Sequence, residues 1–208
     1  MLQRLFFFLR RLRYPGSARY WERRYASGGH SGSGSGGRLA VFKADFLNRF
    51  VVEKNVQQVL ELGCGDGQQL ALAQYPAYTG LDISASAIAI CRQRFANDPT
   101  KHFQLYRADE FQPADHQADM AISLEVIFHL TEQEAYEQHL RHLFASARHW
   151  VLVFSANEEG RTPYPHFRLR RFTPDVERWA PDWRLLEIVP NPYPEESVSQ
   201  FFVFGKNT

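Results

Sequence analysis

Residues 59–70 read VLELGCGDGQQL. An apolar run reaches an acid, Glu61, and breaks into three glycines, Gly63, Gly65 and Gly67. Glycine stands where backbone turns sharply or approaches a ligand closely. The run reads as a strand, and Gly67–Gln74 is predicted to open a helix behind it, which would aim backbone N–H groups at a ligand. The spacing disfavours two ligand classes. A phosphate-binding loop ends Gly-Lys-Ser/Thr, whereas Gly67 is followed by Gln68 and Gln69. The dinucleotide fingerprint is G-x-G-x-x-G; counted from Gly63, its last position falls on Gln68. Glu61 and Asp66 also frame the loop, a poor setting for pyrophosphate. Asp82, in Gly80-Leu81-Asp82-Ile83-Ser84, ends the next predicted strand, where it can accept both hydroxyls of a ribose. A ligand with a ribose, a positive charge and no phosphate fits best.

Outward from this loop, strand and helix signals alternate. Before it, Leu39, Phe42, Phe46 and Phe50 recur at helical spacing. After it come a strand at YTGLDI, a helix at SASAIAICRQRF with Ser84 as a predicted N-cap, and strands at HFQLYRA and DMAISLEV. A helix at TEQEAYEQHLRHLF turns Tyr136, Leu140, Leu143 and Phe144 to one face, with His139 and His142 read as solvated. HWVLVFSAN is a fifth strand, Thr173-Pro174-Asp175 opens a helix, and WRLLEIV and SVSQFFVFG close the chain as strands. Repeated strand–helix units predict an α/β fold: a doubly wound, mostly parallel sheet with helices on both faces. Ligands of such sheets bind outside the carboxyl ends of the strands.

The chain has 208 residues, 44% of them hydrophobic, enough for one domain with a sizeable core. A net charge of +1 argues against a general nucleic-acid binder. Cys64 and Cys91 lack metal-ligand spacing and are read as reduced thiols of a cytoplasmic protein; no metal site is expected. The first 24 residues carry seven arginines and one glutamate, with an apolar run Leu5–Leu9 too short to span a bilayer. Residues 1–13 therefore suit either peripheral contact with the inner face of a membrane or packing on a protein surface. GGHSGSGSGGR, residues 28–38, has the composition of a linker or of a loop that folds over a ligand. The expected division is an N-terminal basic and aromatic segment with a Gly/Ser-rich lid, 1–37, and a single domain, 38–208.

Four stretches together resemble a known family, the class I S-adenosylmethionine (SAM)-dependent methyltransferases. Val59–Gly67 resembles the family's first motif and Gly80–Ser84 its second-strand motif. Ala108-Asp109-Glu110 stands where the family places an acid near the adenine. Asp119–Glu125 resembles the fourth-strand motif leading into the active site. The resemblance covers roughly residues 38–157 and implies a seven-stranded sheet with its last strand antiparallel. It further implies that Gly63, Cys64, Gly65 and Gly67 contact the amino-acid part of SAM. Glu61 would support its ammonium, Asp82 and Ile83 would meet the ribose side, Asp109 with Glu110 the adenine amine, and Leu124 the cofactor's other flank. Tyr20-Trp21-Glu22-Arg23-Arg24-Tyr25 resembles the W-x-x-x-Y segment that many small-molecule methyltransferases fold across the cofactor, which assigns Tyr20, Trp21 and Tyr25 to it. The family's N-P-P-Y-type motif is absent after the fourth strand.

A sulfonium methyl is already activated, so positioning supplies much of the rate, and an alcohol acceptor also needs a base. His129, just past the fourth strand, is the candidate base, with Glu125 to orient it or to touch the cofactor. Ser31, Ser33, Ser155 and Asn157 are candidate acceptor contacts. Tyr164–Phe172 would send His166, Arg168 and Arg170 to one side if extended, which suits an anionic acceptor as well as it suits a solvated edge. The expected activity is methyl transfer to an oxygen of a small polar or glycan-type acceptor. Alternatives are another transferase or an oxidoreductase on the same sheet, and a non-catalytic SAM-binding or membrane-associated scaffold.

Overall fold

The computed structural model describes residues 14–207. Along them run helices α1 (Ser17–Ala26), α2 (Gly37–Glu53), α3 (Ala85–Arg94), α4 (Gln133–Ala145) and α5 (Thr173–Trp179). The strands are β1 (Gln58–Leu62), β2 (Ala77–Asp82), β3 (Lys101–Leu105), β4 (Ala118–Leu124), β5 (Ala147–Ser155), β6 (Gly160–Arg161), β7 (Arg168–Leu169), β8 (Trp183–Val189) and β9 (Gln200–Lys206). Seven strands form one sheet in the order β3-β2-β1-β4-β5-β9-β8. The first five pair in parallel, and β9 runs antiparallel between β5 and β8. This is the expected sheet. β6 and β7 form a separate small hairpin.

Successive side chains of a strand face opposite ways, and β1 shows the consequence. Val59 joins α2 and α3 in one core, with Leu39, Leu47, Phe50, Ile88 and Cys91. Leu60 and Leu62 join α4 and α5 in the other, with Tyr136, Leu140, Leu143 and Val176. The strand order reverses between β1 and β4, which opens a crevice at their carboxyl ends.

One predicted element is missing. The glycine turn is followed only by a 3-10 turn, Leu70–Leu72, not by a helix. Residues 63–76 must span from β1 to β2, the glycines occupy the first part, and Pro76 disfavours helix at Tyr75. The glycine loop is thus held by side chains from elsewhere rather than by a helix behind it. Among the described residues no helix is long and apolar enough to cross a membrane. The membrane contact expected of residues 1–13 lies outside the described residues.

Candidate active site

A cavity of about 870 Å³ lies at the carboxyl ends of β1, β2 and β4, under α1 and the loop 31–35. That is within the range of small-molecule sites. The glycine loop forms its floor. Gly65 has φ +56°, and a Cβ there would stand 2.4 Å from Ser31 Oγ and 2.8 Å from Tyr25 Oη. Gly63 has φ +91°, and a Cβ would meet Val126 Cγ2 at 2.4 Å. Gly67 differs: its Cβ would strike Phe95 and Cys91, and it does not line the cavity. Its glycine serves close packing on α3, which corrects its expected role as a cofactor contact.

Asp82 closes β2 beside this floor. Its Oδ2 accepts the Gly65 N–H at 2.9 Å and its Oδ1 the Ser84 N–H at 2.8 Å. Burial raises its carboxyl to about 6, against those two hydrogen bonds. Each oxygen keeps a second lone pair for a ligand hydroxyl.

The two sheet faces give the cavity unlike ends. On the α2 side lie Glu61, Lys43 and Gln69. Glu61 is buried, accepts the Tyr78 hydroxyl at 2.5 Å, and is raised to about 7 by burial, which that bond and the Lys43 charge only partly offset. Lys43, 1% exposed, holds Glu125 Oε2 at 3.1 Å. Gln69 donates to the Ala40 carbonyl at 3.0 Å, while its Oε1 is sealed from solvent without a partner. On the α4 side the lining is Leu62, Ile83, Tyr106, Ala108, Val126, Ala135 and His139, mostly apolar walls that suit a flat ring. A charged, hydrogen-bonding end, a ribose acceptor between, and an apolar slot fit a nucleoside joined to an amino acid.

His129 ends a 3-10 turn directly after β4. Its Nδ1 lies 3.0 Å from the His166 carbonyl oxygen. A carbonyl only accepts, so Nδ1 carries the hydrogen and Nε2 is left as an acceptor. Burial lowers the ring to about 4, against the bond to His166. The Trp21 ring meets it edge-on at 4.8 Å between centroids. Glu125 does not orient His129: it sits at φ 59°, held by Lys43 and by the Ser197 hydroxyl at 3.2 Å. Its Oε2 would lie 1.8 Å from a Cβ at Gly34.

α1 and the loop after it are fastened by three carboxylates on serines. Glu132 accepts the Ser17 N–H at 2.9 Å and lies 2.5 Å from Ser17 Oγ. Glu22 accepts the hydroxyls of Ser84 and Ser86 at 2.7 and 2.6 Å. Asp66 accepts the Ser31 hydroxyl at 2.7 Å. Tyr20 stacks on His166 at 4.5 Å.

Of the residues singled out in the sequence, Tyr20, Trp21, Tyr25, Ser31, Ser33, Glu61, Gly63, Cys64, Gly65, Asp82, Ile83, Leu124, Glu125, His129 and His166 line this cavity. Others do not. Asp109 and Glu110 are exposed outside it, and Arg107 and Ala108 line it instead. Ser155 is fully buried in β5. Asn157 accepts the backbone N–H groups of Phe172 and Thr173, fastening the start of α5. Arg168 and Arg170 turn to the backbone after His129, where Arg168 donates to the Thr131 carbonyl and Arg170 to those of Leu130 and Thr131. Arg170 is buried over the Tyr136 ring at 4.3 Å. Neither arginine lines the cavity. His139 and His142 are not solvated: His139 is 4% exposed and bonded to Ser123, and His142 Nδ1 lies 2.7 Å from the Tyr106 hydroxyl. Sequence reasoning passed over Lys43, Gln69, Glu22 and His139. Only Lys43 left a signal, a lysine between Leu39 and Leu47 on the apolar stripe of α2.

Residues 59–149 match the model of a family described as a methyltransferase domain. The sequence has no match among curated proteins. Solved structures share the fold at low identity. The N-methyltransferase NodS from Bradyrhizobium japonicum WM9, in complex with S-adenosylhomocysteine, superposes with a TM-score of 0.71 at 15% identity, covering 93% of this chain and 100% of that one. Magnesium protoporphyrin IX methyltransferase from Synechocystis PCC 6803 gives 0.62 at 16% identity, over 82% of this chain and 85% of that one. The methyltransferase domain of bacterial CtHen1-C gives 0.62 at 21%, over 80% and 97%. Residues 59–149 thus match a methyltransferase domain, and the strand order and glycine loop are those of the class I SAM-dependent methyltransferase fold.

Proposed function

We propose that this chain transfers the methyl group of SAM to an oxygen of a small polar acceptor of glycan type. The observation that carries the reading is His129: it lines the cavity at the end of β4, uncharged at neutral pH, with Nδ1–H committed to the His166 carbonyl. Its Nε2 is left to take the proton of an acceptor hydroxyl. Bound SAM supplies an activated sulfonium methyl, so the chain's own work is positioning and proton removal. Glu61 offers an acceptor to a ligand ammonium, Lys43 a cation to a ligand carboxylate, and Asp82 acceptors to a ribose. α1 covers the cavity and keeps water from the reacting groups.

The test is a screen of neutral and anionic metabolite and glycan acceptors with methyl-labelled SAM. Label should appear on acceptor hydroxyls, and His129→Ala should lower its rate of incorporation strongly. Label confined to amines would overturn the reading of the acceptor while leaving the methyl donor intact.

A further inference from the structure

His139 lies two turns into α4, on the opposite flank of the cavity from Lys43. It is 4% exposed, and its Nε2 is 2.9 Å from Ser123 Oγ on β4. The Ser123 hydroxyl, itself fully buried, pins the ring in one orientation. Nδ1 has no hydrogen-bond partner among the described residues, yet it is not among the sealed, unpaired polar atoms of the interior. The space this residue lines is the apolar slot between Leu62, Ile83, Ala108, Val126 and Ala135. A buried polar atom left open to an apolar slot is what a site offers to the polar edge of a ring it accepts. The acids after β3, Asp109 and Glu110, are outside the slot.

We infer that His139 is the side chain that reads the polar edge of the cofactor's nucleobase, in place of an acid after β3. The inference rests on the SAM reading of the cavity. The base enters between the apolar walls and meets Nδ1 with the amine or ring nitrogen of its six-membered ring. Ser123 can donate to Nε2 or accept from it. Nδ1 is therefore donor or acceptor according to the ring's tautomer, and burial keeps the ring neutral in either case.

The experiment compares S-adenosylhomocysteine with an analogue carrying benzimidazole in place of adenine. The analogue keeps the flat shape and loses the amine and nitrogens of the six-membered ring. Calorimetry on the wild-type chain should show adenine preferred. His139→Leu should shrink that preference by about tenfold or more, because an unmet buried polar group is costly. Asp109→Ala should leave it unchanged. In the wild-type chain, the ¹⁵N resonance of His139 Nδ1 should move on binding S-adenosylhomocysteine and much less on binding the analogue; this arm holds even if the leucine variant does not fold. An undiminished preference in a folded His139→Leu, or an Nδ1 resonance indifferent to the base, overturns the inference alone. Failure of S-adenosylhomocysteine to bind the wild-type chain overturns the SAM reading with it.

Discussion

Ser17 Oγ lies 2.7 Å from the carbonyl oxygen of His129, so the first turn of the lid helix is fastened to the loop that carries the candidate base. The same serine N–H is accepted by Glu132, whose carboxylate does for α1 what its own N-cap position cannot, because that position is Gly16. α1 and the loop that carries His129 are thereby tied to each other.

From this, Glu132→Gln and Ser17→Ala should loosen α1. An N-cap lost costs about 0.5–2 kcal/mol, and the loss should fall mainly on local opening of 17–26. Hydrogen exchange should speed up there and leave β4 and β5 protected. Burial pushes the Glu132 carboxyl up, but the bonds from Ser17 outweigh it and hold it below the usual range. A depressed carboxylate stabilises the fold above its ordinary value and ceases to as pH falls through its folded value. Lid protection should therefore fade in acid, and the glutamine variant should lack that dependence.

Cofactor binding should be linked to proton release. Glu61 and Asp82 are raised to about 7 and about 6. A raised carboxylate contributes stability below its ordinary value and loses it as pH rises through the folded one, so without ligand the melting temperature contribution of both groups falls between about pH 4 and 7. An ammonium on Glu61 and hydroxyls on Asp82 favour their charged forms. Affinity for S-adenosylhomocysteine should rise between pH 5.5 and 7.5. Calorimetry in buffers of different ionisation enthalpy should register protons released near pH 6, fewer in Glu61→Gln.

His129→Ala should lower turnover by roughly 10²–10⁴, the range for a general base, with cofactor affinity nearly unchanged. Because burial lowers the ring to about 4, the rate at saturating cofactor should show no acid limb near 6.5. Such a limb would mean that His129 is open to solvent in the working enzyme.

The basic hairpin should behave as scaffold. Arg168→Ala, at an exposed site, should change stability by less than about 0.5 kcal/mol and leave the acceptor KM alone. Arg170→Ala removes a buried guanidinium from two carbonyls and from the Tyr136 ring. It should lower the melting temperature clearly, and its loss of activity should track the loss of folded protein.

These outcomes follow the line between what local sequence encodes and what it does not. The sheet was legible because hydrophobic runs and helical spacing are local signals, and the glycine loop because G-x-G-x-G restricts its ligands. Asp82 was legible from its place at a strand end. The helix expected after Gly67 was not formed, since the span to β2 is short and ends at Pro76. Arg170 and His139 were misread because both were judged from the periodicity of their own segment. Their surroundings come from Leu130, Tyr136 and Ser123, which only the tertiary fold brings near. The lid fastenings are also long-range: Glu132 and Ser17 are far apart in the chain.

The central claim, that this cavity holds SAM by Asp82 and the glycine loop, is tested most directly by titrating the full chain with S-adenosylhomocysteine and with NAD. S-adenosylhomocysteine should bind and raise the melting temperature, as a ligand selective for the folded state must. Asp82→Ala should weaken it by removing the ribose acceptors, and NAD should not bind. Binding of NAD without binding of S-adenosylhomocysteine would contradict the account.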